Sequence, residues 1–488
     1  MTFMTDVFLG IDVGTQGLKG VVIDEMGTVL ATETAEYPTA TPKPGWSEQS
    51  PADWRRALDR VLAALVKGRP DFTFRGVGLT GQMHTTVVCD DQGQPLRSAI
   101  LWSDQRTAPY VDALQQTYGL DTLLGITGNQ PLTNFTLLRL LWMRDHQPEL
   151  YREIRRVAVA KDWLRFILTG SWGSDVTDAS GTYGFDVRRR TWAQDWLEQL
   201  NIPAAWWGSV AESHEIVGTV RYGPAGLQGV PLVAGAGDQE ASAVGTGLRP
   251  GDLGLSLGTS GVLFWVLSQY QRPPHPSIHA FCHAETGQWH WMSVTQAAAL
   301  SLRWFRDELD PGATYQAIND EAATVEAGSD GLLYWPYLNG ERAPILRPEA
   351  RGGFLGLTLT HRRAHLARAV LEGVAYSLKH SFVTMNESGG VNPRRWVMTG
   401  GGAQSALWGD IVASVFNQPV DLAHDPGAAV GAAWLARNAV LNQSDRYPLT
   451  VHAVATPRSD WVATYEDGFA GYLKGIEQII PLWERTKT

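Results

Sequence analysis

Apolar and polar positions fall in blocks along this chain, and the blocks predict its elements. "VFLGIDV" (7–13) and "LKGVVI" (18–23) are short apolar runs, and "TVLATETA" (28–35) alternates after the turn "DEMG". Such runs between tight turns predict an antiparallel meander. Trp54, Leu58, Val61, Leu62 and Leu65 then recur on one helical face, which predicts a helix over about 52–66, and "RGVGLTG" (75–81) returns the chain to a strand. A hairpin is expected around "ETGQ" (285–288) and a helix over about 295–309. Leu366, Val370, Val374, Leu378 and Phe382 fall four apart and predict a helix over 364–383 whose apolar stripe must be buried. Near the end, "RWVMTGGGAQSALWGDIVASVF" and "PVDLAHDPGAAVGAAWLARNAV" each read as strand, glycine turn and helix, the units of a layered α/β fold.

The pattern also repeats. "LGIDVGTQGLKGVVI" at the start has a partner in "LGLSLGTSGVLFWVL" (253–267), each an apolar strand, a Gly-Thr turn and a second apolar strand. Gly14 and Gly258 lie 244 residues apart, half of the 488-residue length. A chain this long exceeds what one hydrophobic core usually supports, so two similar domains are expected, over 1–247 and 248–488.

Composition narrows the partners. With 44% apolar residues, 18% charged residues and a net charge of −10 spread along the chain, neither a nucleic-acid groove nor an anionic membrane surface is indicated. Cys89 and Cys282 are too few for a disulfide framework, and no apolar run reaches the roughly 18 residues needed to span a bilayer. "MTFMTDVFLG" lacks the basic start and apolar core of a signal peptide. The expectation is a reduced, cytoplasmic protein acting on a small solute, with a homodimer the commonest form of soluble oligomer.

Three glycine clusters carry candidate chemistry. In "IDVGTQG", Asp12 ends a strand while Gly14, Thr15 and Gly17 form a turn whose N–H groups and hydroxyl suit an anion, leaving Asp12 to hold a divalent cation through water. A hairpin with a capping aspartate fits the same residues. The second copy, 256–261, contains Gly258 and Thr259 and would clasp a polyphosphate from the other side. "MTGGGAQS" (398–405) leaves a patch free of side chains, suited to a purine and its ribose. Neither G-x-G-x-x-G nor G-x-x-x-x-G-K-[ST] occurs, so a nucleotide must be held in another way.

Asp238 follows close-spaced glycines in "AGAGDQEAS" and is placed either as a turn residue or to accept a proton from an attacking hydroxyl. "GQMHTTVV" (81–88) and "ILWSDQRT" (100–107) bring Met83, His84, Trp102, Asp104 and Arg106, side chains of kinds that bind sugars. His275, His279, Cys282 and His283 superficially resemble a zinc cluster. They read better as a strand beside prolines.

The order D-x-G-T, Q-M-H, W-x-D-x-R, G-D-x-x-A, L-S-L-G-T-S-G, Y-L-x-G-E-R, "GGFLGLTLTHRRAHLARAVLE" (352–372) and G-G-G-A-x-S resembles the FGGY carbohydrate kinases, most closely those acting on D-xylulose, from residue 9 to about 436. The resemblance implies two ribonuclease-H-like, actin-related domains with ATP and sugar meeting in the cleft between them. It implies ATP-dependent phosphorylation of D-xylulose at its terminal hydroxyl to D-xylulose 5-phosphate. Asp238 would be the general base. Met83, His84, Trp102, Asp104, Asp238 and Gln239 would form the sugar site, and Asp12 the Mg²⁺ site. Gly14, Thr15, Gly258 and Thr259 would flank the phosphates, with Gly400, Gly401 and Gln404 at the adenosine. Two departures stand out: Arg139 replaces the family's usual lysine, a change expected to be mild, with an altered surface or loop contact as the alternative, and Gln239 replaces a frequent asparagine. D-ribulose, glycerol or an alditol are alternative substrates, although the Met83–His84 pair differs from the Arg-Glu pair expected for glycerol. A non-catalytic sugar or nucleotide sensor would share the fold.

Overall fold

The computed structural model describes residues 4–387 and 392–485. The first half opens with strands β1 (Thr5–Val13), β2 (Gly17–Asp24) and β3 (Val29–Glu36), each antiparallel to the one before. Helix α1 (Pro51–Val66) follows, with proline at its start and Trp54, Leu58, Val61, Leu62 and Leu65 all at most 1% exposed. Each such side chain contributes roughly 1.5–3 kcal/mol of burial, which fixes the helix against the sheet. Strand β4 (Phe72–Gly81) then pairs in parallel with β1. After helices α2 (Thr136–His146), α3 (Ala160–Thr169) and α4 (Val176–Ser180), strands β5 (Ile216–Thr219), β6 (Pro231–Val233) and the short β7 (Ala236–Gly237) complete the sheet in the order β5-β6-β4-β1-β2-β3, with β7 also beside β4. Helix α5 (Asp238–Gly245) starts where β7 stops.

The second half repeats this plan. Strands β8 (Asp252–Leu257), β9 (Gly261–Leu267), β10 (His279–Cys282) and β11 (Trp289–Thr295) lead to helix α6 (Ala299–Trp304) and the long helix α7 (Arg363–Met385). Strand β12 (Arg395–Thr399), helix α8 (Ala406–Phe416), β13 (Val420–Ala423), helix α9 (Ala428–Leu441) and β14 (Val451–Ala455) follow. The sheet order is β10-β11-β9-β8-β12-β13-β14. In both sheets the first strand pairs antiparallel with the second and parallel with the strand after the first helices. The register makes Asp12 opposite Thr80 correspond to Ser256 opposite Thr399. The repeat in the sequence is thus a repeat in topology.

Two expectations are adjusted. The helix placed over 295–309 begins at Ala299, because Thr295 still belongs to β11 and the backbone N–H groups of Ala298, Ala299 and Leu300 bond the carbonyls of Gly258 and Thr259. It continues as a π-type turn over Phe305–Leu309. Helix α7 is buried almost all round from Ala367 to Leu378 rather than along one stripe, while Leu366 and Phe382 are half-buried.

Helix α9 crosses back to lie on β1 and β4 of the first sheet and against α5. The approach is close: a Cβ on Gly10 would sit 1.8 Å from the Ala429 carbonyl oxygen, and one on Gly431 would sit 1.8 Å from that of Ala241. No helix among the described residues is long and apolar enough to cross a membrane.

Candidate active site

Parallel strands place reactive groups at their carboxyl ends, and this sheet does so twice. Asp12 lies opposite Thr80 in β4, which lies opposite Ala236 in β7, so Asp12 and Asp238 emerge two strands apart, roughly 10 Å across at strand spacing. The turn after Asp12 is held from below. Gly14 N–H donates to the Gly17 carbonyl (3.0 Å), Gln49 Nε2 donates to the Thr15 carbonyl (2.6 Å), and Tyr37 O–H donates to the Gly14 carbonyl. Asp12 Oδ1 is buried with no hydrogen-bond partner, and burial pushes its carboxyl up to about 6 against the opposing pull of Lys19. A buried, orphaned carboxylate oxygen beside an anion-binding turn fits a hydrated divalent cation. The carboxylates near enough to share an ion among themselves are elsewhere: Asp162, Asp175 and Asp178 surround the Lys161 ammonium.

Across the cleft, the Gly258–Thr259 turn joins β8 to β9. Gly400 has φ of 84° and stands so close behind this turn that a Cβ there would be 2.7 Å from the Leu257 carbonyl oxygen. The second and third glycine clusters are therefore one continuous surface. Gly401 has nothing within 4 Å of where a side chain would start, and the exposed Gln404 reaches His424 (3.4 Å).

A cavity of about 210 Å³ lies between the lobes, lined from the first by Met83, His84, Trp102, Asn134, Asp238 and Gln239. The second lobe contributes Ser260, His279, Met292 and Arg342 among others. Trp102 Nε1 donates to Thr15 Oγ1 (3.0 Å), which ties the cavity to the first turn. His84 adopts a left-handed backbone (φ 66°) and its Nδ1 bonds the Gly181 carbonyl at 2.7 Å. That carbonyl can only accept, so the proton is on Nδ1 and Nε2 is left as an acceptor. Burial pushes the ring down to about 3, so it stays neutral.

Asp104 does not join this set. It is fully buried, accepts from the Ser47 N–H (2.6 Å) and pairs with Arg106 (2.7 Å), whose guanidinium also pairs with Glu48 and stacks on Trp46. The D-x-R spacing closes an ion pair inside its own loop, and Asp104 thereby shapes the stretch carrying Trp102 rather than facing a ligand. Arg139 is likewise not a surface contact: it is fully buried and donates to the carbonyls of His84 (2.8 Å), Asn134 (2.6 Å) and Leu101 (2.6 Å). Three loop segments around the cavity are pinned by one guanidinium.

Comparison with known proteins places the family. Residues 7–245 match the N-terminal domain, and 253–440 the C-terminal domain, of the FGGY family of carbohydrate kinases. The chain belongs to that family. It is 36% identical to the xylulose kinase of Escherichia coli (strain K12) over 98% of this chain and 100% of that protein. It is 29% identical to the gluconokinase of Bacillus subtilis (strain 168) over 86% of this chain and 84% of that protein. The crystal structure of xylulose kinase from Rhodospirillum rubrum superposes with a TM-score of 0.91 at 29% identity, covering 98% of this chain and 100% of that one. The architecture is the two-domain, actin-like fold of FGGY kinases.

In this FGGY kinase the half-buried Asp238 is held from behind. Gly237 N–H donates to Thr177 Oγ1 (2.8 Å), Thr177 Oγ1 donates to Asp175 (2.6 Å), and Asp175 pairs with Lys161 (3.0 Å), which also donates to the Ala234 carbonyl (3.2 Å). Burial, followed by the repulsion of Asp12 and Glu240, pushes the Asp238 carboxyl up to about 8. Glu240, buried beside His290, is itself raised to about 8 by burial. A carboxyl of raised basicity thus lines the cavity. Asn134, Ser260, His279 and Arg342, and the Lys161–Asp175–Thr177 support, were not singled out as site residues from the sequence. The "Y-L-x-G-E-R" motif was a signal for Arg342, but spacing alone does not say which wall it joins.

Proposed function

We propose that this chain transfers the γ-phosphoryl group of MgATP to the terminal hydroxyl of D-xylulose, giving D-xylulose 5-phosphate. The observation that carries this reading is Asp238, which opens α5 on the wall of a sugar-sized cavity shared by both lobes and tied through Trp102 to the first glycine turn. In this reading the sugar hydroxyl gives its proton to the Asp238 carboxylate while its oxygen bonds to the γ-phosphorus. The bond from that phosphorus to the β–γ bridging oxygen breaks and ADP leaves. Gly14, Thr15, Gly258 and Thr259 flank the phosphates, and Gly400, Gly401 and Gln404 border the adenosine. Mg²⁺ held through Asp12 would supply charge neutralisation at the phosphate oxygens. Met83, His84, Trp102 and Gln239 hold the sugar, with His84 Nε2 accepting from a hydroxyl. The reading divides the chain near residue 247 into a sugar-binding lobe and a nucleotide-binding lobe, with α9 crossing between them.

Resemblance to proteins named xylulose kinase over nearly the whole chain supports the choice of sugar. The gluconokinase resemblance makes gluconate the competitor to test. A panel of D-xylulose, D-ribulose, gluconate, xylitol and glycerol with MgATP, followed by ADP release, should give its largest kcat/KM with D-xylulose. A larger value for any other member would overturn the substrate, and no sugar-stimulated release would favour a sensor.

A further inference from the structure

The Y-L-x-G-E-R loop brings a second-lobe cation into the cavity. Arg342 lines the space shared with His84, His279 and Asp238, and it is half-buried. Its backbone is fixed: Arg342 N–H donates to Glu341 Oε1 (2.7 Å), Ala343 N–H donates to the Val294 carbonyl (3.2 Å), and Glu341 and Arg347 bridge each other's backbones. Its guanidinium, by contrast, makes no hydrogen bond or ion pair among the described residues. Glu341 attracts it without bonding to it, since Oε1 is spent on the Gln296 and Arg342 N–H groups and Oε2 is buried without a hydrogen-bond partner. Nearby His84 and His279 are both neutral rings, pushed down to about 3 by burial first, then chiefly by the Arg139 charge at His84 and by the Arg342 charge at His279. A guanidinium removed from bulk water and left unpaired is costly unless a ligand completes it.

We propose that Arg342 is the second lobe's contact with the sugar and reads an oxygen that only accepts, the carbonyl of a ketose or the carboxylate of an aldonate, at the end of the chain away from the hydroxyl facing Asp238. A guanidinium has five donors and no acceptor, so an oxygen with no proton of its own satisfies it without a competing donor. The inference rests on the reading of this cavity as the sugar site. It makes sugar binding a bond between lobes, because Met83, His84 and Asp238 stand on one and Arg342 on the other.

Calorimetric titration with D-xylulose and with xylitol, its counterpart lacking the carbonyl, tests this in the unaltered protein and in Arg342→Gln. The expected result is a roughly 10- to 100-fold weaker Kd for D-xylulose, the range for a charge-assisted hydrogen bond, with xylitol affected far less. Thermal melting should show Arg342→Gln at least as stable as the unaltered protein, because a half-buried guanidinium without a hydrogen-bond partner has been removed. D-Xylulose affinity within about threefold of the original, or an equal loss for both polyols, would overturn the inference. If the glutamine variant does not fold, Arg342→Lys is judged by the same two affinities. Asp238→Asn keeps the two readings apart: continued turnover in that variant would remove the general base and leave the Arg342 result standing, whereas no D-xylulose binding to the unaltered protein would remove the substrate.

Discussion

Helices α5 and α9 hold corresponding places in the two halves and touch each other, yet they are built for opposite ends. Helix α9 carries no charged side chain from Ala428 to Ala436, is buried throughout that stretch, and leaves no room for a Cβ at Gly10, Gly78 or Gly431. Helix α5 begins Asp238, Gln239, Glu240, with both acids raised to about 8, and its Ser242 and Ala243, with Thr246 just beyond its end, border a cavity of about 150 Å³ facing Ser256 and Phe264 of the second lobe. One helix seals the lobes together; the other leaves them apart. The difference sets a sealed contact at α9 against a face at α5 where raised carboxyls and unfilled space cost stability, the face to which the proposed reading assigns the chemistry.

Damage to the sealed side should be severe. Gly431→Val drives side-chain atoms into the Ala241 carbonyl, and chemical denaturation is expected to show a loss of about 3 kcal/mol or more. A loss below about 1 kcal/mol would mean that α9 is not a rigid seat. On the working side, Thr177→Val removes the hydroxyl linking Gly237 to Asp175. It should cost about 1–2 kcal/mol and lower kcat roughly tenfold with KM little changed, while Thr177→Ser restores both. A serine variant as impaired as the valine one would reduce the link to packing.

The last expected effect is defined by its sign. The Asp238 carboxyl is raised from 3.8 to about 8 in the folded protein, so the native state binds more protons than the unfolded chain between those values. The contribution of this group to stability is therefore full below about pH 4 and is lost as pH rises through about 8. Asp238→Asn should be the more stable of the two at pH 8 and converge with the unaltered protein near pH 4, measured by urea unfolding without ligands. An asparagine variant less stable at pH 8 would contradict the view that this carboxyl is held at a cost.

Much of the architecture was legible because it is local. The three opening strands, α1, α7 and the strand-turn-helix units follow from apolar spacing, and the repeat at Gly14 and Gly258 foretold the matching sheets. The glycine turns came from the residues themselves, the Met83, His84, Trp102, Asp238 and Gln239 grouping from the family resemblance, and these five share one cavity. Asp104 was misread because a polar residue beside a sugar-type tryptophan looks the same whether it faces a ligand or closes a salt bridge with Arg106. Arg139 was misread because a charged residue inside an apolar helix gives no hint that three carbonyls converge on it. Arg342 was left unassigned because its neighbours His84 and Asp238 are distant in sequence and meet it only after both lobes fold.

The central claim is that Asp238 takes the proton from the sugar, and kinetics of Asp238→Asn with MgATP and D-xylulose, paired with calorimetry of sugar binding, test it most directly. The account predicts turnover reduced by roughly 10²- to 10⁴-fold with sugar affinity retained. Turnover within about tenfold of the unaltered protein would contradict it.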